Sequence, residues 1–188
     1  MQPKPSASIH VCALRHIPEV LQRTGAKHLV SAINADLAPV TPAGLNADRH
    51  LKLDMHDIIE HCDGARAPAE EHVGRLIEFV SAWDRQAPLL IHCYAGLSRS
   101  TAAAFIALCT LNPEAPEQLI AQALRRASDT AVPNRRFVGL ADDFLGRRGR
   151  MLAALEAMGP NRIAAECIPF GVGGHHGPGP AERTDRAA

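Results

Sequence analysis

The sequence predicts an α/β fold, and two patterns carry that expectation. Short β-like runs alternate with segments of helical periodicity along most of the chain. One run, at residues 89–91, is apolar without a break, which suits a central strand buried on both faces.

Taken in order, residues 8–14 read as a first strand and 17–23 as a short helix stopped near Gly25. Residues 28–33 form a second strand. The stretch 38–48 holds Pro39, Pro42 and Gly44 and reads as a loop. Residues 50–55 give a third strand, alternating Leu51, Leu53 and Met55, and 57–68 a surface loop. A helix over 69–83 follows from the stripe Val73, Leu76, Ile77, Val80 and Trp83. Pro88 opens the apolar strand. After Cys93 a Gly-containing loop leads into an apolar helix, 99–111, broken by Asn112 and Pro113. A helix near 116–127 is expected to turn Leu119, Ile120, Ala123 and Leu124 inward. Pro133 and Asn134 open the last helical region, where Phe137, Leu140, Phe144, Met151, Leu155 and Met158 fall at helical spacings and Gly146 and Gly149 interrupt. From Gly159 the pattern fades into Gly and Pro. The expectation is therefore one domain over 8–158 and a largely disordered tail over 159–188, with His175 and His176 inert within it.

Composition narrows the function. A chain of 188 residues can bury a substantial core without disulfides or a structural metal. Its 46% hydrophobic and 21% charged residues are ordinary for a soluble globular protein. The formal net charge is zero, so no global field favours nucleic acid, and any anion site must be local. No secretory signal is read at the start. No apolar run reaches the roughly 18 residues of a membrane span. Five cysteines, odd in number and irregularly spaced, argue for a reducing compartment, expected to be the cytoplasm.

The chemistry concentrates in residues 89–101, LLIHCYAGLSRST. A loop between a strand and a helix start aims several backbone N–H groups at one point, and the helix dipole adds to their pull on an anion. Tyr94, Ala95, Gly96, Leu97 and Ser98 supply that loop, and Gly96 permits its tight curve. Cys93 would sit at its base. Positive surroundings of this kind lower a cysteine pKa to roughly 3.5–7.5, and the thiolate attacks phosphorus. The planar fork of Arg99 would hold two phosphoryl oxygens, a geometry lysine cannot reproduce. An Arg at a helix N-terminus, where cations are disfavoured, needs such a reason. His92 is expected to bond the loop backbone. The Ser100 hydroxyl is expected to donate to the sulfur.

The string His92 to Ser100, HCYAGLSRS, resembles the HCxxGxxR[ST] signature of the cysteine-dependent protein tyrosine phosphatases, and most of all their dual-specificity branch. Residues 50–58, HLKLDMHDI, are similar to that family's third strand and the loop bearing its general acid. Residues 131–142, AVPNRRFVGLAD, resemble the closing helices. The resemblance implies a central, mostly parallel sheet flanked by helices, two-step catalysis through a cysteinyl-phosphate, and no metal or other cofactor. It also implies Asp57 as general acid. Asp54, in the strand, and Asp63, later in the loop, stay open as rivals. Nothing resembles the pocket-deepening aromatic loop of the tyrosine-specific branch. No lysine lies between Cys93 and Arg99, unlike the lipid-phosphatase branch.

The expected substrate is a phosphorylated protein or small phosphomonoester, phosphotyrosine first, with phosphoserine and phosphothreonine as further candidates. Two other classes compete: a phosphate-binding module without turnover, and another thiolate enzyme such as a sulfurtransferase or arsenate reductase. His56, His61, Cys62 and Asp63 match no closed zinc pattern. The arginines 125, 126, 135, 136, 147, 148 and 150 read first as a solvated, ion-paired face and second as a positive rim that steers phosphorylated partners.

Overall fold

A computed structural model describes residues 8–174 of the chain. Its five strands are β1 (Ile9–Ala13), β2 (His28–Ala32), β3 (His50–Leu53), β4 (Leu89–Cys93) and β5 (Phe170–Val172). They form one sheet in the order β3-β2-β4-β1-β5, parallel at every pairing except the antiparallel β1–β5 edge. The inner strands β2 and β4 are buried at every position, and their side chains are apolar or small except for His28 and His92.

Six helices cover the sheet. Helix α1 (Ile17–Thr24) lies on one face, where Ile17 and Val20 pack with Cys12, Leu29 and Leu90. Gly25, at φ +67°, ends it in a left-handed turn. The opposite face carries α2 (Glu70–Ala82), α3 (Arg99–Leu111), α4 (Glu117–Ala127), α5 (Arg135–Phe144) and α6 (Arg150–Glu156), packed around the main core. Helix α3 is buried on all sides from Arg99 to Cys109, so an amphipathic stripe is absent for a structural reason. Gly146 and Gly149 separate α5 from α6 with positive φ.

Two expectations need correction. Leu119 is 51% exposed, whereas Ile120, Ala121 and Leu124 form the buried face of α4. That helix is rolled by Glu117, which is buried against Arg147 and Arg150 at 2.9 and 3.1 Å. The stretch 159–174 is also no loose tail. It carries β5, pairs Val172 with Ile9 on β1, and buries Cys167. Residues 175–188, with His175 and His176, lie outside the described residues. Much of the arginine face is paired: Arg135 with Glu156, Arg147 and Arg150 with Glu117, and Arg125 with backbone carbonyls.

Candidate active site

In a parallel sheet the strand ends deliver their loops to one edge, and β4 sits between β1 and β2 there. Residues 94–98 leave β4 at Cys93 and enter α3 at Arg99. Gly96 adopts φ +72°, and a Cβ at that position would meet Cys167 Sγ at 2.3 Å and the Cys12 carbonyl carbon at 2.8 Å. Glycine is required both by conformation and by space.

The loop carbonyls are drawn outward by the surrounding fold. Tyr94 O accepts from Leu14 N at 3.1 Å, and Ala95 O from Cys167 N at 2.9 Å. Leu97 O accepts from Val132 N at 2.9 Å, and Ser98 O from Ala102 N and Asn134 N at 2.9 and 3.3 Å. Cys93 O accepts from His92 Nδ1 at 3.2 Å. In a trans peptide the N–H that follows a carbonyl points the opposite way. The amides of Tyr94, Ala95, Gly96, Ser98 and Arg99 therefore turn to the inner side of the loop. The Gly96 amide is seen there, donating to Cys93 Sγ at 3.2 Å. With the N-terminus of α3 behind them, these groups make an anion cradle.

Cys93 is buried at the base of that cradle, and its sulfur lies 3.1 Å from Ser100 Oγ. Arg99 is buried as well. Its Nη1 donates to Met55 O at 2.9 Å, and its Nε has no hydrogen-bond partner among the described residues. A buried unpaired guanidinium N–H is costly, and an anion in the cradle would relieve it.

Asp57, in the loop after β3, stands over the site. Its Oδ1 accepts from Ser98 Oγ at 2.6 Å and from Asn134 Nδ2 at 2.9 Å. Its Oδ2 is 4.0 Å from Arg99 Nε. Asp54 is occupied elsewhere, accepting from Ala35 N at 2.7 Å and Arg66 Nη1 at 3.2 Å. Asp63 is exposed in a turn closed by the Cys62–Ala65 bridge. Of the three carboxylates, Asp57 is the one brought to Arg99.

The other buried thiols are held in their neutral form: burial pushes Cys109 up to about 12, Cys167 up to about 11, and Cys12 still higher. Burial also pushes His92 down to about 4, so its imidazole is neutral. Tyr94 is 61% exposed at the rim. Next to Asp57 opens a groove of about 650 Å³, walled by Ile58, Ile59, Val132 and Pro133. Among the described residues no group of three or more His, Cys, Asp or Glu side chains is placed to hold a metal.

Sequence reasoning missed Asn134, Ser31 and Cys167. Asn134 caps α5 through Phe137 N at 3.0 Å while it holds Asp57, and the Pro–Asn dipeptide was its only signal. Ser31 and Cys167 reach the loop only through tertiary pairing.

No family model matches the chain, and no curated protein matches it by sequence. Solved structures do match. The structure of DUSP15 superposes with a TM-score of 0.56 at 19% identity, covering 85% of this chain and 96% of that one. Human DUSP28 gives 0.58 at 18%, covering 77% and 94%. The human tyrosine phosphatase-like serine/threonine/tyrosine-interacting protein gives 0.53 at 18%, covering 72% and 86%. The chain has the fold of the dual-specificity phosphatases.

Proposed function

We propose that this chain, which carries the dual-specificity phosphatase fold, hydrolyses phosphomonoesters through a cysteinyl-phosphate, with phosphotyrosine as its leading substrate and phosphoserine or phosphothreonine as secondary ones. The observation that carries the reading is the convergence of Cys93 Sγ, an inward amide at 3.2 Å, and a buried Arg99 with an unpartnered Nε.

Each group has a role that its geometry supports. The Cys93 thiolate attacks phosphorus and the bond to the leaving oxygen breaks. With Nη1 anchored on Met55 O, Arg99 presents its Nε–Nη2 edge to two equatorial oxygens, and the inward amides take the charge that spreads over them. Asp57 accepts two hydrogen bonds on Oδ1, so the proton for the leaving group belongs on Oδ2, the oxygen nearer Arg99. In the second step Asp57 takes a proton from water, the water oxygen attacks phosphorus, and the P–S bond breaks. The Ser100 hydroxyl, 3.1 Å from the sulfur, then donates to the departing thiolate. The exposed Tyr94 and the apolar wall of Ile58, Ile59, Val132 and Pro133 in the groove beside Asp57 suit an aryl leaving group. The odd number and irregular spacing of its cysteines are the ground for placing it in a reducing compartment, the cytoplasm.

Hydrolysis of p-nitrophenyl phosphate in the presence of EDTA tests the reading. Cys93→Ser is expected to abolish turnover and keep vanadate binding, because sulfur attacks while the amides and Arg99 bind. Arg99→Lys is expected to lose both. Steady-state hydrolysis by the Ser variant overturns the covalent route. Vanadate binding by a wild-type protein without turnover would leave the binding-module reading instead.

A further inference from the structure

The same face of the sheet that packs α1 carries an uninterrupted polar chain beside the apolar cluster of Cys12, Leu29 and Leu90. Ser31 on β2 and His92 on β4 are direct neighbours across the parallel pairing, and His50 opens β3. His92 and Ser31 are fully buried, and His50 is 8% exposed. Four hydrogen bonds join them: Thr41 Oγ1 with His50 Nδ1 at 2.9 Å, His50 Nε2 with Ser31 Oγ at 2.8 Å, Ser31 Oγ with His92 Nε2 at 2.6 Å, and His92 Nδ1 with Cys93 O at 3.2 Å.

The direction of every bond follows from the last one. A carbonyl can only accept, so His92 carries its hydrogen on Nδ1. A neutral His92 then accepts on Nε2, and Ser31 must donate to it. Having used its hydrogen, Ser31 accepts from His50 Nε2–H. His50 then accepts on Nδ1, and the Thr41 hydroxyl donates. Protonating either imidazole would turn its accepting nitrogen into a donor, leave the hydroxyl that donates to it, Ser31 or Thr41, without that acceptor, and end the one-way order. Burial lowers both, to about 4, which keeps both neutral in the working range.

We propose that Thr41, His50 and Ser31 are positioning residues for the catalytic loop, forming with His92 a one-way relay that holds the Cys93 carbonyl outward and the Tyr94 amide inward. The proposal rests on the reading of the loop as a phosphate site, and it assigns a task to three residues outside the signature. Without the Ser31 hydroxyl, the buried Nε2 of His92 has no donor, and the ring loses the partner that fixes its orientation. Its Nδ1–H is then less firmly aimed at the Cys93 carbonyl, and the hold on that peptide weakens.

Nitrogen-15 NMR of the imidazoles tests this in the phosphate-free protein. The expected spectrum shows His92 in the Nδ1–H form and His50 in the Nε2–H form. Ser31→Ala is expected to leave His92 in the Nδ1–H form with a less ordered ring, shift the Tyr94 amide resonance, and weaken phosphate binding about tenfold. His50→Phe should act in the same direction. His50→Gln, which can still donate to Ser31, should restore both the Tyr94 amide resonance and phosphate affinity. If Ser31→Ala does not fold, the His50 pair decides alone. An Nε2–H form of His92 in the wild type overturns the proposal. So does a Phe variant that binds phosphate as well as the Gln variant. The tautomer measurement needs neither phosphate nor turnover, so its failure is distinct from failure of the phosphatase reading.

Discussion

Gly96→Ala is the most severe small change that the site admits. The backbone there has φ +72°, a conformation that costs a residue with a Cβ roughly 1–2 kcal/mol. The new methyl would also lie 2.3 Å from Cys167 Sγ, 2.8 Å from the Cys12 carbonyl carbon and 2.9 Å from Ala13 N. Overpacking of this kind costs about 1–3 kcal/mol. The expected loss is therefore about 2–5 kcal/mol, a large part of a typical domain's stability. Relief is partial by construction. Cys167→Ala removes the contact with sulfur, but Cys12 and Ala13 belong to β1 and are pinned by pairing with His92 and Cys93. Urea unfolding should show a clear drop in midpoint for Gly96→Ala and incomplete recovery in the double variant. Phosphate affinity should fall as well, because the Gly96 amide that donates to Cys93 Sγ must move. An unchanged midpoint, or full recovery with Cys167→Ala, would refute the view that β1 forms the floor of the loop.

Asp57→Asn should slow phenyl and alkyl phosphates by about 10²–10⁴-fold and highly activated aryl phosphates far less, as expected for a lost general acid; the same leaving-group dependence in Asp54→Asn would move the acid to that residue. The neutral burial of His92 makes stability pH-dependent. Its folded pKa, about 4, lies below the unfolded value, so as pH falls from about 6.5 to 4 the unfolded chain takes up a proton the folded chain refuses, and stability should drop by about 3 kcal/mol from this group alone, then level off. Flat urea midpoints between pH 7 and 4.5 would contradict it. Truncation after Met158 should cost at least about 3 kcal/mol through the lost burial of Val172 and Cys167, and should weaken phosphate binding because Ala95 O loses its donor. A truncated chain as stable and as tight as the full one would restore the expectation of a dispensable tail.

The central strand, the loop and α3 are legible in the sequence because their requirements are local. A turn that only glycine can take, a cysteine at its start and an arginine at its end sit within one short string. Element order is legible for a similar reason, since Gly25, Pro88, Pro113, Gly146 and Gly149 stand where the observed elements break. What failed depends on partners far away. The face that α4 buries is set by the ion pairs of Glu117 with Arg147 and Arg150, and apolar spacing does not encode them. The Gly-rich end suggests disorder, yet Gly171 is small because the His10 ring lies where its Cβ would be, at 2.8 Å. Ser31 carries no motif, and His50, although it opens the string 50–58, gives no sign of its task there, because the meaning of both comes from strand register.

The same contrast explains why the signature needs its fold. A Cys-x5-Arg string names the sulfur and the guanidinium, but an anion cradle is made of peptide N–H groups, and their direction is set by what holds the carbonyls behind them. Here the holders are the end of β1 through Leu14, the segment before β5 through Cys167, the approach to α5 through Val132 and Asn134, and β4 itself through His92. Most of these are backbone donors, which single side-chain substitutions cannot delete. They are present only when the sheet order and the chain's return past Met158 are present. A chance copy of the string on another scaffold would keep Cys93 and Arg99 in name, while its amides pointed wherever that scaffold left them.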